Sequence, residues 1–296
     1  MTAEPILLSF SQCNTMLTCG WAAWLEKECG VQGAPHWSTL GGSAFHALTE
    51  AMVKQQHGME VVIPTVSEAL DAAVADELAR PGQSYAIEDF RASKSALGLS
   101  AKVSDRADRA YLEDQIPVWL DRWREFNANS GYEYLLFPSV DGGPIPGIEV
   151  PFEFEAGELD GRPIVMRGFM DAVRFKPQTG TVLVEDSKAG ANQPNSPMQL
   201  ALYRYALKRC YGIEVNFGYF YLARKGIASA IYNLATYTDE MVEWWVKGFA
   251  RRKLNQDYAP NRDSCVKKCG LMAHCIFYGG EKADPRKVPW RAEDKD

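Results

Sequence analysis

Near residue 147 the spacing of apolar residues changes from three-to-four to strictly two, and this switch constrains the fold more than any other feature. GIEVPFEFEAGELDGRP and IVMRGFMDAVRFKPQTG alternate apolar with polar residues and end in turn formers, and TVLVEDSKAG is a third such run. A period of two puts successive side chains on opposite faces of a pleated strand. Three consecutive runs joined by tight turns therefore predict three neighbouring strands of one sheet.

The flanking segments have helical spacing. LLSFSQCNTMLTCGWAAWLEKECG reads as one helix that carries Cys19, and GGSAFHALTEAMVKQQHG as a second, from about Ser43 to Gln56. Residues 60 to 140 are mainly helical in pattern, interrupted at Pro81 and Gly82. After the three strands, SPMQLALYRYALKRCYG is a helix stopped by Gly212. NFGYFYLAR and SAIYNLATY are two further strands, and TDEMVEWWVKGFARRKLNQ is a last helix capped by Thr238 or Asp239. The expected fold class is thus α/β (α+β), a central mixed sheet flanked by helices. The expected organisation is one elaborated domain: N-terminal helices in 1–58, a helical insertion in 59–145, the sheet core in 146–236, and a last helix with a cysteine group in 237–296.

A chain of 296 residues, 46% hydrophobic and 24% charged, can bury a full core and is not disordered by composition. It has no run of eighteen apolar residues, and an acid stands where a signal peptide would carry basic residues. A cytoplasmic protein without membrane contact is expected. The net charge of −6 does not suggest a nucleic-acid partner, but binding depends on local patches. WWVKGFARRKL, followed by Lys267 and Lys268, is one such patch.

The chemistry concentrates in VEDSKAG. Strand ends rich in Asp, Ser, Lys and Gly are often plain turns. Here, however, Asp171 lies late on one strand and Asp186 at the end of the next, so a short connection can bring both carboxylates to one sheet edge. Lys188, two residues after Asp186, shares its face. Two acids and a lysine suit Mg²⁺ or Mn²⁺, which take oxygen ligands, retain waters and stabilise charge developing on phosphate. Glu185 falls on the opposite strand face and reads as structural, with a ligand role as its alternative.

In order, GSAFHALTE with His46, strand-borne Asp171, Asp186-x-Lys188 and QLALYRY with Gln199 and Tyr203 form a series G-x-x-x-H, D, D-x-K, Q-x-x-x-Y. This series resembles the PD-(D/E)XK nuclease superfamily, in its RecB-like exonuclease branch, and within that branch CRISPR-associated protein four and its viral relatives. The resemblance implies a restriction-endonuclease-like core. It further implies His46, Asp171, Asp186 and the carbonyl of Ser187 as metal ligands, Lys188 as the catalytic lysine, and Gln199 and Tyr203 as supporting residues.

Seven cysteines include a group, Cys265-x3-Cys269-x5-Cys275, one thiol short of a tetrahedral site. The resemblance implies a [4Fe-4S] cluster completed by Cys19, which would staple the two ends of the chain. Zinc is the alternative, with His274 as a substitute ligand, and Cys29 and Cys210 read as ordinary buried thiols. The implied activity is a metal-dependent DNA exonuclease acting on single strands or free ends in recombination, repair or CRISPR adaptation, alongside protein partners. Trp244, Trp245 and Tyr258 are candidates for stacking on bases. The alternative is a DNA-binding subunit with little catalysis of its own.

Overall fold

The computed structural model describes residues 4–80, 85–90, 108–138, 143–190, 192–263, 269–284 and 286. The chain opens with β1 (Ile6–Leu8), α1 (Phe10–Thr18), α2 (Gly20–Lys27) and α3 (Trp37–Gln56), followed by α4 (Val66–Leu78) and α5 (Arg109–Ser130). Then come β2 (Glu133–Tyr134), β3 (Leu136–Phe137), β4 (Ile145–Pro146), β5 (Ile148–Leu159), β6 (Arg162–Lys176) and β7 (Thr181–Lys188). The remainder is α6 (Met198–Tyr211), β8 (Phe217–Leu222), β9 (Ile227–Ala228), β10 (Tyr232–Asn233) and α7 (Asp239–Leu254).

β6 is the spine of an eight-stranded mixed sheet ordered β1-β6-β7-β8-β10, with β5 and β2 also on β6 and β9 on β8. One edge of β6 pairs with β5 and then β2. The other pairs with β1 at Ile164 to Met166 and with β7 at Ala172 to Lys176. The predicted run of three neighbouring strands is the antiparallel β5-β6-β7 unit, and β8 then joins β7 in parallel.

Helices cover both faces, giving three layers. On one face α1, α2, α6 and α7 bury Trp21, Leu200, Leu207, Val242 and Val246 against Met166, Val184 and Phe220. On the other, α3, α4 and α5 bury Phe45, Leu48, Leu70, Leu112 and Trp119 against Leu183, Tyr219 and Tyr221. The helices of the segment expected as an insertion thus build the second layer together with α3.

Local signals set the boundaries. Gly212 ends α6 at φ 66°, and Thr238 caps α7 by accepting from the Met241 N–H at 3.3 Å. Two expectations at the N-terminus are corrected. The first predicted helix is a strand and two helices, because ILL pairs with β6 and Cys19 adopts an extended conformation between α1 and α2. A tertiary contact holds that break open. The Gly20 N–H donates to the Ala259 carbonyl at 3.0 Å, and a Cβ on Gly20 would meet the Tyr258 backbone at 2.8 Å. The second helix begins at Trp37, before the glycine pair. Gly41 is accommodated inside it because Leu112 of α5 packs where a Cβ would stand, 2.6 Å away. Pro81 and Gly82 lie outside the described residues.

Candidate active site

Ile148 packs into one layer and Val150 into the other, although residues two apart on a regular strand share a face. Glu149, at φ 47°, breaks the pleat between them. The break lets its carboxylate reach the β6-β7 edge, where Glu149 Oε1 meets His46 Nδ1 at 3.1 Å. The other ring nitrogen of His46, Nε2, lies 3.1 Å from the Ser187 carbonyl and 3.9 Å from Asp171 Oδ2. Both ring nitrogens therefore face oxygen acceptors, an arrangement that only the imidazolium satisfies. Burial opposes that charge, but Asp171 and the hydrogen bond and charge of Glu149 outweigh it and raise the pKa to about 9.

Asp171, on β6, accepts from the Ser187 N–H at 2.8 Å and from the Tyr203 hydroxyl at 3.1 Å. Asp186 is fully buried, with Lys188 Nζ 2.6 Å from its Oδ2 and the Tyr203 hydroxyl 3.4 Å from its Oδ1. Lys188 Nζ donates to Gln199 Oε1 at 3.0 Å, and Gln199 Nε2 donates to the Tyr203 oxygen at 2.8 Å. Asp186, Lys188, Gln199 and Tyr203 thereby close a ring that fixes the ammonium. Burial, aided by the charge of Asp171, lifts Asp186 to about 7 against the opposing pull of Lys188 and His46. Burial also raises Asp171, with His46 and Lys188 opposing.

The sequence-predicted residues His46, Asp171, Asp186, Ser187, Lys188, Gln199 and Tyr203 thus come together in one place. Glu149 was missed. Ligand atoms of His46, Glu149 and Asp171 lie within 4.8 Å of one another, the one such group among the described residues. Two carboxylates, an imidazole and the adjacent Ser187 carbonyl are a hard, oxygen-rich donor set that fits Mg²⁺ or Mn²⁺. Glu185, the alternative ligand, is spent elsewhere. It accepts from Arg174 Nε at 2.7 Å, Tyr219 at 2.5 Å and Ser187 Oγ at 3.0 Å, buried on the other side of β7.

The predicted cysteine group is only partly described. Cys19 and Cys275 are buried in the same core cluster and Cys269 packs against it, while Cys265, with Lys267 and Lys268, lies outside the described residues. The Asn261 N–H donates to Cys19 Sγ at 3.4 Å, so the C-terminal segment reaches the α1-α2 break. Among the described residues no metal-ligating group includes a cysteine. Cys210 is exposed rather than buried, because it sits on the outer side of the last turn of α6. Tyr258 is buried with its hydroxyl on Glu28, so it cannot stack on a base, and Trp245 packs against Phe10 and Phe249.

Mixed sheet, layered helices, and carboxylates with a lysine at the strand ends define a nuclease fold of one kind. The chain belongs to the PD-(D/E)XK nuclease superfamily, whose family model matches residues 7–276. It is also similar to the Gene 69 protein of Mycobacterium phage D29, with 30% identity over 245 residues that cover 80% of this chain and 83% of that protein. No helix of the described residues is long and apolar enough to cross a membrane.

Proposed function

We propose that the protein is a metal-dependent deoxyribonuclease, an exonuclease of the RecB-like branch that hydrolyses phosphodiester bonds of single strands or DNA ends. The observation that carries this reading is the ring around Lys188. Nζ is held by Asp186 and Gln199 at the edge where His46, Glu149 and Asp171 converge. An ammonium has three protons. Two are engaged, and the third is available to a phosphate oxygen or an attacking water. His46, Glu149, Asp171 and the Ser187 carbonyl would hold the ion; Asp186, expected as a further ligand, lies outside the converging group because its Oδ2 is ion-paired with Lys188. When bound, a divalent ion lowers the pKa of water and offsets charge developing on phosphate. Gln199 and Tyr203 orient Lys188 and the two aspartates.

A [4Fe-4S] cluster on Cys19, Cys265, Cys269 and Cys275 belongs to the same proposal. Its support is the burial of Cys19 and Cys275 in one cluster and the docking of the C-terminal segment on Gly20. Its role would be structural, a staple between the ends of the chain.

The test is degradation of end-labelled single- and double-stranded DNA by protein purified without oxygen, with Mg²⁺ or Mn²⁺ and with chelator, comparing wild type and Lys188→Ala. The expected result is metal-dependent shortening from an end that Lys188→Ala abolishes. Binding without cleavage by the wild type would replace the enzyme with a DNA-binding subunit of a processing complex.

A further inference from the structure

β1 and β7 cover the same edge of β6 but stop short of one another, leaving 167–171 without a ladder partner there among the described residues. β1 runs parallel to β6 and β7 antiparallel, so the C-terminal ends of both point into the gap. Over the gap lies a cleft of about 890 Å³, bordered by Phe10 beyond β1, Phe169 on β6, Lys188 at the end of β7, and Gln199 and Tyr203 on α6. Lys188 also borders the hollow that contains His46 and Glu149, so the cleft leads to the metal-ligand residues.

Phe169 is 60% exposed in this cleft, two residues before Asp171. Covering a phenylalanine is favourable, so a ring left open beside a reactive centre is available to a partner with an apolar face. Among the described residues the cleft's charged side chains are Arg167 and Lys188, and no carboxylate lines it although the whole chain carries −6. Glu153, across from Arg167 on β5, lies outside it. An aromatic platform flanked by cations is the arrangement that binds single strands, with bases stacked on rings and phosphates on the cations.

We propose that the cleft is the path of a single DNA strand, in which Phe169 stacks on the base adjoining the scissile phosphate and Arg167 neutralises a neighbouring phosphate. This deepens the nuclease reading and rests on it. A base inside a duplex has both faces covered by its neighbours, so only an unpaired base offers one to Phe169. The platform therefore selects single strands and frayed ends over intact duplex.

The test is anisotropy titration of a labelled single-stranded oligonucleotide, with Ca²⁺ in place of the catalytic metal, against wild type, Phe169→Ala and Phe169→Tyr. The series is repeated with a single abasic site walked along the strand. Phe169→Ala is expected to bind roughly 5- to 150-fold more weakly, the range of one lost base-aromatic stack, and Phe169→Tyr to restore binding. In the wild type one abasic position should reproduce that loss, and in Phe169→Ala the same position should cost nothing more. Wild-type affinity in Phe169→Ala, or abasic losses that add to it, would overturn the proposal. A wild type that binds with this pattern but cuts nothing would remove the nuclease reading and leave the stacking site standing. A wild type that binds no strand would remove both.

Discussion

At the scale of single residues, the two sides of the site do different work and are separable by mutation. Lys188 touches none of the His46, Glu149 and Asp171 ligand atoms that cluster within 4.8 Å. Lys188→Ala is therefore expected to slow cleavage by about 10²- to 10⁴-fold, the usual worth of a positioned acid-base group, while Mn²⁺ still binds. Glu149→Gln should do the reverse first, weakening Mn²⁺ about tenfold or more, because it removes one ligand charge and the hydrogen-bond partner of His46. Calorimetric titration of Mn²⁺ into both variants, beside cleavage rates, separates the two outcomes. Glu149 also shows where reading by alternation stops. In I-E-V-P-F-E-F-E it falls in step with Glu153 and Glu155, which are exposed, and only its positive φ redirects it. Asp171, Asp186 and Lys188 were legible because they lie at the ends of regular strands, where chain order and pleat suffice to place them. Phe169 was not legible, since its exposure depends on where β1 and β7 end.

At the scale of elements, β7 divides its polar side chains between two faces. Asp186 and Lys188 serve the site, while Glu185 matches Arg174, both 1% or less exposed, with Tyr134 stacked on the guanidinium at 3.8 Å. Glu185→Ala would leave a buried cation without its counter-charge, a loss of about 3–5 kcal/mol, and should lower the denaturation midpoint accordingly. Glu185→Ala combined with Arg174→Met should recover part of it. If the double variant is no more stable than the single one, the pair is not what Glu185 contributes. The strands β5 to β8 and helices α6 and α7 were readable because each has one strong period and a clear stop signal. β1 was not, because three apolar residues before a helix fit a helical pattern equally well, and only pairing with β6 makes them a strand.

At the scale of the whole molecule, the site stores protons that a metal must displace. His46 is raised from its ordinary value to about 9 and Asp186 to about 7, and Asp171 is raised as well. Between the ordinary and the raised values the folded state holds more protons than the unfolded chain, so metal-free stability falls as pH rises. For Asp186 that window runs from about 4 to about 7, and for His46 from about 6.5 to about 9. Metal binding has the opposite slope. The ligands must be deprotonated to coordinate, so apparent affinity rises up to about tenfold per pH unit for each proton released, and the stabilisation by metal rises with it. The difference between melting temperatures in Mn²⁺ and in chelator isolates this effect, because every group remote from the site contributes equally to both. That difference should be small near pH 6 and grow through pH 9, and His46→Gln should flatten the upper part of the rise. A difference independent of pH would mean that the ion sits away from these residues, and the assignment of His46, Glu149 and Asp171 as its holders would fall with it.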